Sequence, residues 1–212
     1  MFTIKLLETD ALISYRITAG IAKAMNSKLV GGRERLRSEI INLVGIWIRS
    51  QPEMVSIGLS YNDPESLAGH FGLPYGSGRR AVEAIVSSIQ TSTIVEIRKI
   101  DDKLRGGITI KVQPTNYVNL LMAPEGHVRT RKGGDLHWMH WLLEKGNTTI
   151  IVNYSYSPEG GSGRSRVGIM KKGGAWRVPP EFAGSSEDNF ITRAFEGKER
   201  DLASLFNKIL KG

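Results

Sequence analysis

The sequence predicts an α+β fold: an N-terminal helical hairpin, a small, mostly antiparallel twisted sheet, and a long C-terminal amphipathic helix. Three observations predict it. Apolar residues recur at three- and four-residue steps near both ends of the chain. Two β-branched runs with alternating polar residues lie between those ends. No internal repeat or low-complexity linker divides them, so residues 1–212 read as one domain.

Taken in order, Phe2 to Leu7 reads as a strand, and a helical run follows from Asp10 to Leu29. In that run Leu12, Ile13, Ile17, Ile21, Ala24 and Met25 form the apolar stripe, with Asp10 as the expected N-cap. Gly31-Gly32 interrupts the pattern. A second run places Leu36, Ile40, Leu43, Val44, Trp47 and Ile48 on one stripe, and Pro52 closes it at Gln51. Tyr61 to Pro64 reads as a turn and Pro64 to Phe71 as one or two helical turns. A helix follows from Arg79 to Thr91, then strands at 93–98 and 107–112 joined as a hairpin. Asp135 to Lys145 reads as an aromatic-rich helix ended by Gly146. Strands follow at 148–156 and 167–170 with an exposed loop, Pro158 to Arg166, between them. Glu187 to Leu210 reads as one last helix, capped by Ser185 or Ser186.

Composition narrows the function. The chain has no cysteine, which excludes disulfide scaffolds, Cys-ligated zinc, iron–sulfur clusters and thiol catalysis. The N-terminus carries no secretory signal pattern and no window reaches the ~18 apolar residues of a membrane span, so no membrane partner is expected. Lys and Arg outnumber Asp and Glu by 29 to 21, a balance that by charge alone suits nucleic acid, a membrane surface or an acidic protein face and does not choose among them. The excess is concentrated between Gly126 and Pro180, in Arg129, Arg131, Lys132, Arg164, Arg166, Lys171, Lys172 and Arg177.

Catalytic and cofactor motifs fail on context. Gly76-x-Gly78 precedes a helix, yet no hydrophobic strand leads into it, so it reads as a glycine turn. His137 and His140, with Asp135 nearby, have a spacing that could share a metal, but no third or fourth ligand is identifiable and the segment is mostly apolar. There is no nucleophile elbow, no H-E-x-x-H and no Ser-His-Asp order. The expectation is a non-enzyme that needs neither metal nor nucleotide.

The most specific pattern is C-terminal: Gly174-Ala175-Trp176-Arg177-Val178-Pro179-Pro180-Glu181-Phe182-Ala183-Gly184, then Asn189-Phe190-Ile191-Thr192-Arg193-Ala194-Phe195 and an amphipathic helix to Leu210. It resembles the tail-completion (neck) proteins of long-tailed bacteriophages, whose chains end in a proline turn, an F-[IL]-x-[RP]-A helix start and a charged terminal helix. The basic helix Arg33 to Ser50 and the aromatic segment Trp138 to Gly146 agree in order. Family members are commonly smaller, so insertions are expected at about 64–91 and 147–172. The resemblance implies a structural virion protein, made in the host cytoplasm, forming a ring of its own copies in the neck around the DNA channel. It implies neighbouring connector and tail proteins as partners, with non-specific contact to passing DNA. Another tail ring component, such as a tail terminator or a baseplate-proximal protein, fits the same pattern. A basic nucleic-acid-binding protein is the reading from a different class. Under the ring reading, the interface residues are Arg164, Arg166, Lys171, Lys172, Arg177, Phe190 and Arg193, with Phe190 anchoring and Arg193 meeting the next ring.

Overall fold

In the computed structural model, residues 8–59, 63, 66–130, 133–159, 163–166 and 168–211 are described. The strand expected at Phe2 to Leu7 lies outside them, as do most of the turn at Tyr61 to Pro64, Arg131, Lys132, the centre of the 158–166 loop and Val167. The class is α+β, with helices dominant and three separate two-stranded antiparallel sheets in place of the single small sheet expected. The elements are α1 (Asp10–Arg49), α2 (Pro52–Gly58), α3 (Leu67–His70), α4 (Gly78–Ser92), β1 (Thr93–Arg98), β2 (Gly107–Val112), α5 (Val118–Leu121), β3 (Val128–Arg129), β4 (Asp135–Leu136), α6 (Met139–Leu143), β5 (Ile151–Ser157), β6 (Ile169–Trp176), α7 (Phe190–Phe195) and α8 (Glu199–Lys211). They group into two compact units, where the sequence reading has one domain. One comprises Met1–Ile41, Ile94–Lys111 and Gly197–Gly212, and the other Asn42–Thr93 and Val112–Glu196.

The expected helical hairpin is instead one continuous helix of 40 residues. Gly31 and Gly32 cost roughly 1 kcal/mol each against alanine, but they do not supply a turn by themselves. Gly32 is used for close approach: a Cβ there would lie 2.6 Å from Ile209 Cγ2 of α8, so the glycine lets the two helices touch. The cap also differs. Asp10 is the first helical residue, and the Thr9 hydroxyl accepts from the Leu12 N–H at 3.4 Å.

Within the first unit, the Asn26 side chain grips the backbone of Ile100, donating to its carbonyl at 2.8 Å and accepting from its N–H at 2.9 Å. This fastens the β1–β2 connection to α1. On the connection itself, the Asp101 carboxylate accepts the N–H groups of Lys103 and Arg105. The terminal helix α8 buries Leu205 and Ile209 and places Glu199 and Asp201 at its first turn and Lys208 and Lys211 at its last, agreeing with the helix dipole.

The second unit has the larger core. Val44, Trp47 and Ile48 of α1 are buried together with Met54, Ile57, Ile85, Val86 and Ile89, Trp138, Met139, Leu142 and Leu143, and Phe190 and Ile191. Phe71 stacks on Trp138 at 5.2 Å, and Trp47 meets Phe195 edge-on at 5.9 Å. Gly78 opens α4 after Gly76 takes a positive φ of 82°. The expected helix from Asp135 to Lys145 is mostly something else: Asp135 and Leu136 form β4, paired with β3, and only Met139–Leu143 is helical. The expected single helix from Glu187 to Leu210 is two, because Gly197 adopts φ of 69° between α7 and α8. Its cap is Asn189 rather than Ser185 or Ser186. The Asn189 side chain accepts from Ile191 and Thr192, while the Thr192 hydroxyl accepts from the Asn189 N–H.

Candidate assembly surface

All seven sequence-predicted interface residues fall in the second unit, and the structure gives them unlike roles. Phe190 is fully buried, a core residue with no surface to offer. Arg193 is turned inward. Its guanidinium binds Glu53, whose side chain is 1% exposed, and reaches Asp188 at 2.6 Å. Burial works against the Arg193 cation, and hydrogen bonds to Asp188 and Glu53 outweigh it, raising its pKa. A buried carboxylate needs such a cation, because desolvating an unpaired charge costs several kcal/mol. Arg193 is therefore an internal counter-ion, and the expected role toward a neighbouring ring gives way to it.

Arg164 also works within its own unit, donating to the carbonyl of Gly72 at 2.8 Å and to that of Arg129. Arg166 lies over the ring of Tyr75 at 4.9 Å, a cation–π arrangement that leaves the residue exposed. Lys171 stands 3.8 Å from Glu159, and Lys172 and Arg177 are exposed on and just after β6. Neighbouring residues of a strand point to opposite faces, so Lys171 and Lys172 cannot serve one flat partner surface. The outward basic set is thus Arg166, Lys171, Lys172 and Arg177.

The recognisable C-terminal pattern is built as packing. Trp176 and Val178 are buried on entry to the proline turn. Gly184 then lies against α6, where a Cβ would come within 1.8 Å of the Leu142 carbonyl oxygen. Its N–H donates to Trp141 and its carbonyl accepts from Gly146. Asn189, Phe190, Ile191 and Ala194 complete a buried edge. The motif holds the chain's own core together.

What periodicity could not reveal is which apolar stripe stays outside. Ile17 and Ile21 are 56% and 43% exposed, Ala24 is exposed and Ile13 is half-buried. At ~100° per residue, this stripe lies roughly 130° around α1 from the buried face of Ala22, Leu29, Leu36 and Ile40. Gly20, beside the stripe, has open space where a Cβ would stand. Among the described residues, an open basic groove also lies between α1 and α8, lined by Arg35, Arg200, Lys208 and Lys211 with Ser204 and Asn207.

No family model, no curated protein and no solved structure matches the chain. No helix among the described residues is long and apolar enough to cross a membrane.

Proposed function

We propose that the chain is a structural, non-enzymatic subunit of a long-tailed bacteriophage virion, forming a homo-oligomeric ring in the neck, at tail completion, around the DNA channel. The observation that carries the oligomer is the exposed stripe Ile13, Ile17, Ile21 and Ala24. Single exposed apolar residues are ordinary, whereas a stripe at i, i+4, i+8 steps on a helix that already has a separate core face is a second adhesive surface. Repetition of one such contact by rotation closes a ring. The placement in a phage neck rests on the resemblance of residues 174–184 and 189–195 to tail-completion proteins, supported by the packing of both segments into one module. A tail terminator or baseplate-proximal ring would use the same surfaces.

The experiment is light-scattering mass and negative-stain imaging of the purified chain, alone and with a portal or tail-tube partner. A closed ring that Ile17→Ser with Ile21→Ser disperses into folded monomers supports the reading. A monomer under every condition, with or without the partner, overturns it. The groove of Arg35, Arg200, Lys208 and Lys211 favours a second reading, a nucleic-acid-binding protein. Tight binding of free DNA by the monomer, falling steeply with salt, would select it.

A further inference from the structure

We infer that His127, Asp135 and His137 form a binding site for one divalent transition-metal ion, with zinc the best chemical match. The site is independent of the ring reading and departs from the expectation that no metal is held. Sequence spacing points at His137 and His140, but His140 is engaged elsewhere: its Nδ1 pairs with Glu144 at 3.1 Å. The partner is instead His127, ten residues upstream. The β3–β4 register sets Val128 opposite Leu136 and Arg129 opposite Asp135, which brings His127 and His137 together just beyond the paired residues.

The donor atoms converge. His127 Nδ1 and His137 Nε2 each lie 3.1 Å from the same carboxylate oxygen, Asp135 Oδ2, and all three lie within 4.8 Å of one another. A tetrahedral zinc with bonds of about 2.0–2.1 Å separates its ligand atoms by about 3.3 Å; the two imidazoles lie against each other with ring centres 3.7 Å apart, so they would splay apart to aim both nitrogens at one ion.

His127 is held from behind: its Nε2 lies 2.9 Å from the Leu121 carbonyl, which would fix the ring as outer partners of metal-bound histidines do and leaves Nδ1 toward Asp135.

Three protein ligands leave a fourth position, and Asp135 and His137 are 51% and 41% exposed, so solvent reaches it. Oxygen and imidazole donors without sulfur suit zinc, nickel or copper(II) better than magnesium or calcium.

The test is calorimetric titration of the metal-free full-length chain with zinc, and cobalt(II) absorption as a report of coordination number. One ion per chain is expected, with the intense visible bands of four-coordinate cobalt. Asp135→Asn and His137→Gln should each weaken binding by about tenfold or more, with the circular dichroism spectrum retained. His140→Gln should leave affinity unchanged. Binding should weaken as the solution is acidified, because protons compete for the imidazoles. Failure to bind zinc saturably, or equal weakening by His140→Gln, would overturn the site. So would nitrogen NMR showing His127 doubly protonated in the presence of excess zinc.

Discussion

The two halves of α1 carry the same kind of apolar spacing and meet opposite fates. Leu36, Ile40, Val44 and Ile48 are wholly buried, whereas Ile17 and Ile21 stand about half exposed. Periodicity tells a helix which residues share a face. It does not tell the helix whether its partner lies in the same chain. In one half the partner is supplied by the chain's own elements, and in the other little among the described residues covers the stripe. The contrast also separates two kinds of glycine. Gly20 and Gly31 face open space, while Gly32 and Gly45 lie where a Cβ would meet Ile209 and Gln90.

The largest expected effects fall on the packed half. Trp47→Ala removes a buried ring set edge-on to Phe195 and should cost about 3–5 kcal/mol in chemical unfolding. Phe190→Ala should cost a similar amount. If Ile17→Ala proved as costly in the monomer, the two halves would not differ as described.

Next comes the ion pair in the packed unit. Arg193→Ala strands the buried Glu53 carboxylate and should cost about 3 kcal/mol. A double variant, Arg193→Met with Glu53→Gln, should recover much of that loss, because it removes the charge that needed compensation. No recovery in the double variant would mean that the guanidinium acts through packing alone.

Acid should strike the same unit. His70 is held at about 4, well below its ordinary value, because burial disfavours its cation and the Glu181 carboxylate only partly offsets this. The folded state therefore binds fewer protons than the unfolded chain between pH 4 and 6.5. Its stability contribution is present above pH ~6.5 and is lost as pH falls toward ~4, by up to roughly 3 kcal/mol. Denaturant midpoints measured across that range should fall for the native chain and fall less for His70→Gln.

The smallest effect on stability sharpens the comparison most. Ile17→Ser with Ile21→Ser should shift the stability of the isolated subunit by no more than about 0.5 kcal/mol per site. It should nonetheless abolish higher-order species in sedimentation, since Ile17 and Ile21 are about half exposed. Retained oligomers in this variant would assign assembly to another face.

Local structure was legible wherever the signal is local. Strands at 93–98 and 107–112, and a helix within a residue of 79–91, follow from alternation and from 3.6-residue spacing. The misreadings share a physical origin. Gly31-Gly32 looked like a break because propensity counts their cost and omits what a missing Cβ permits at Ile209. Residues 187–210 looked like one helix because their apolar spacing runs on, while Gly197 turns the backbone. Asp135 and Leu136 were drawn into a helix by the apolar residues after them, although pairing with Val128 and Arg129 makes them a strand. That error hid His127, whose approach to His137 depends on hairpin register.

The sequence by itself determined the α+β class, the strands at 93–98 and 107–112, the charge excess and the basic end of the last helix, because these depend on composition or on residues within a few positions of one another. Only the tertiary structure decided which face of α1 is covered, that Arg193 serves Glu53 across 140 residues of chain, and that three donors meet at Asp135. Those outcomes depend on contacts between residues far apart in the chain, and side-chain chemistry read in order carries no record of which distant group will arrive to complete a pair.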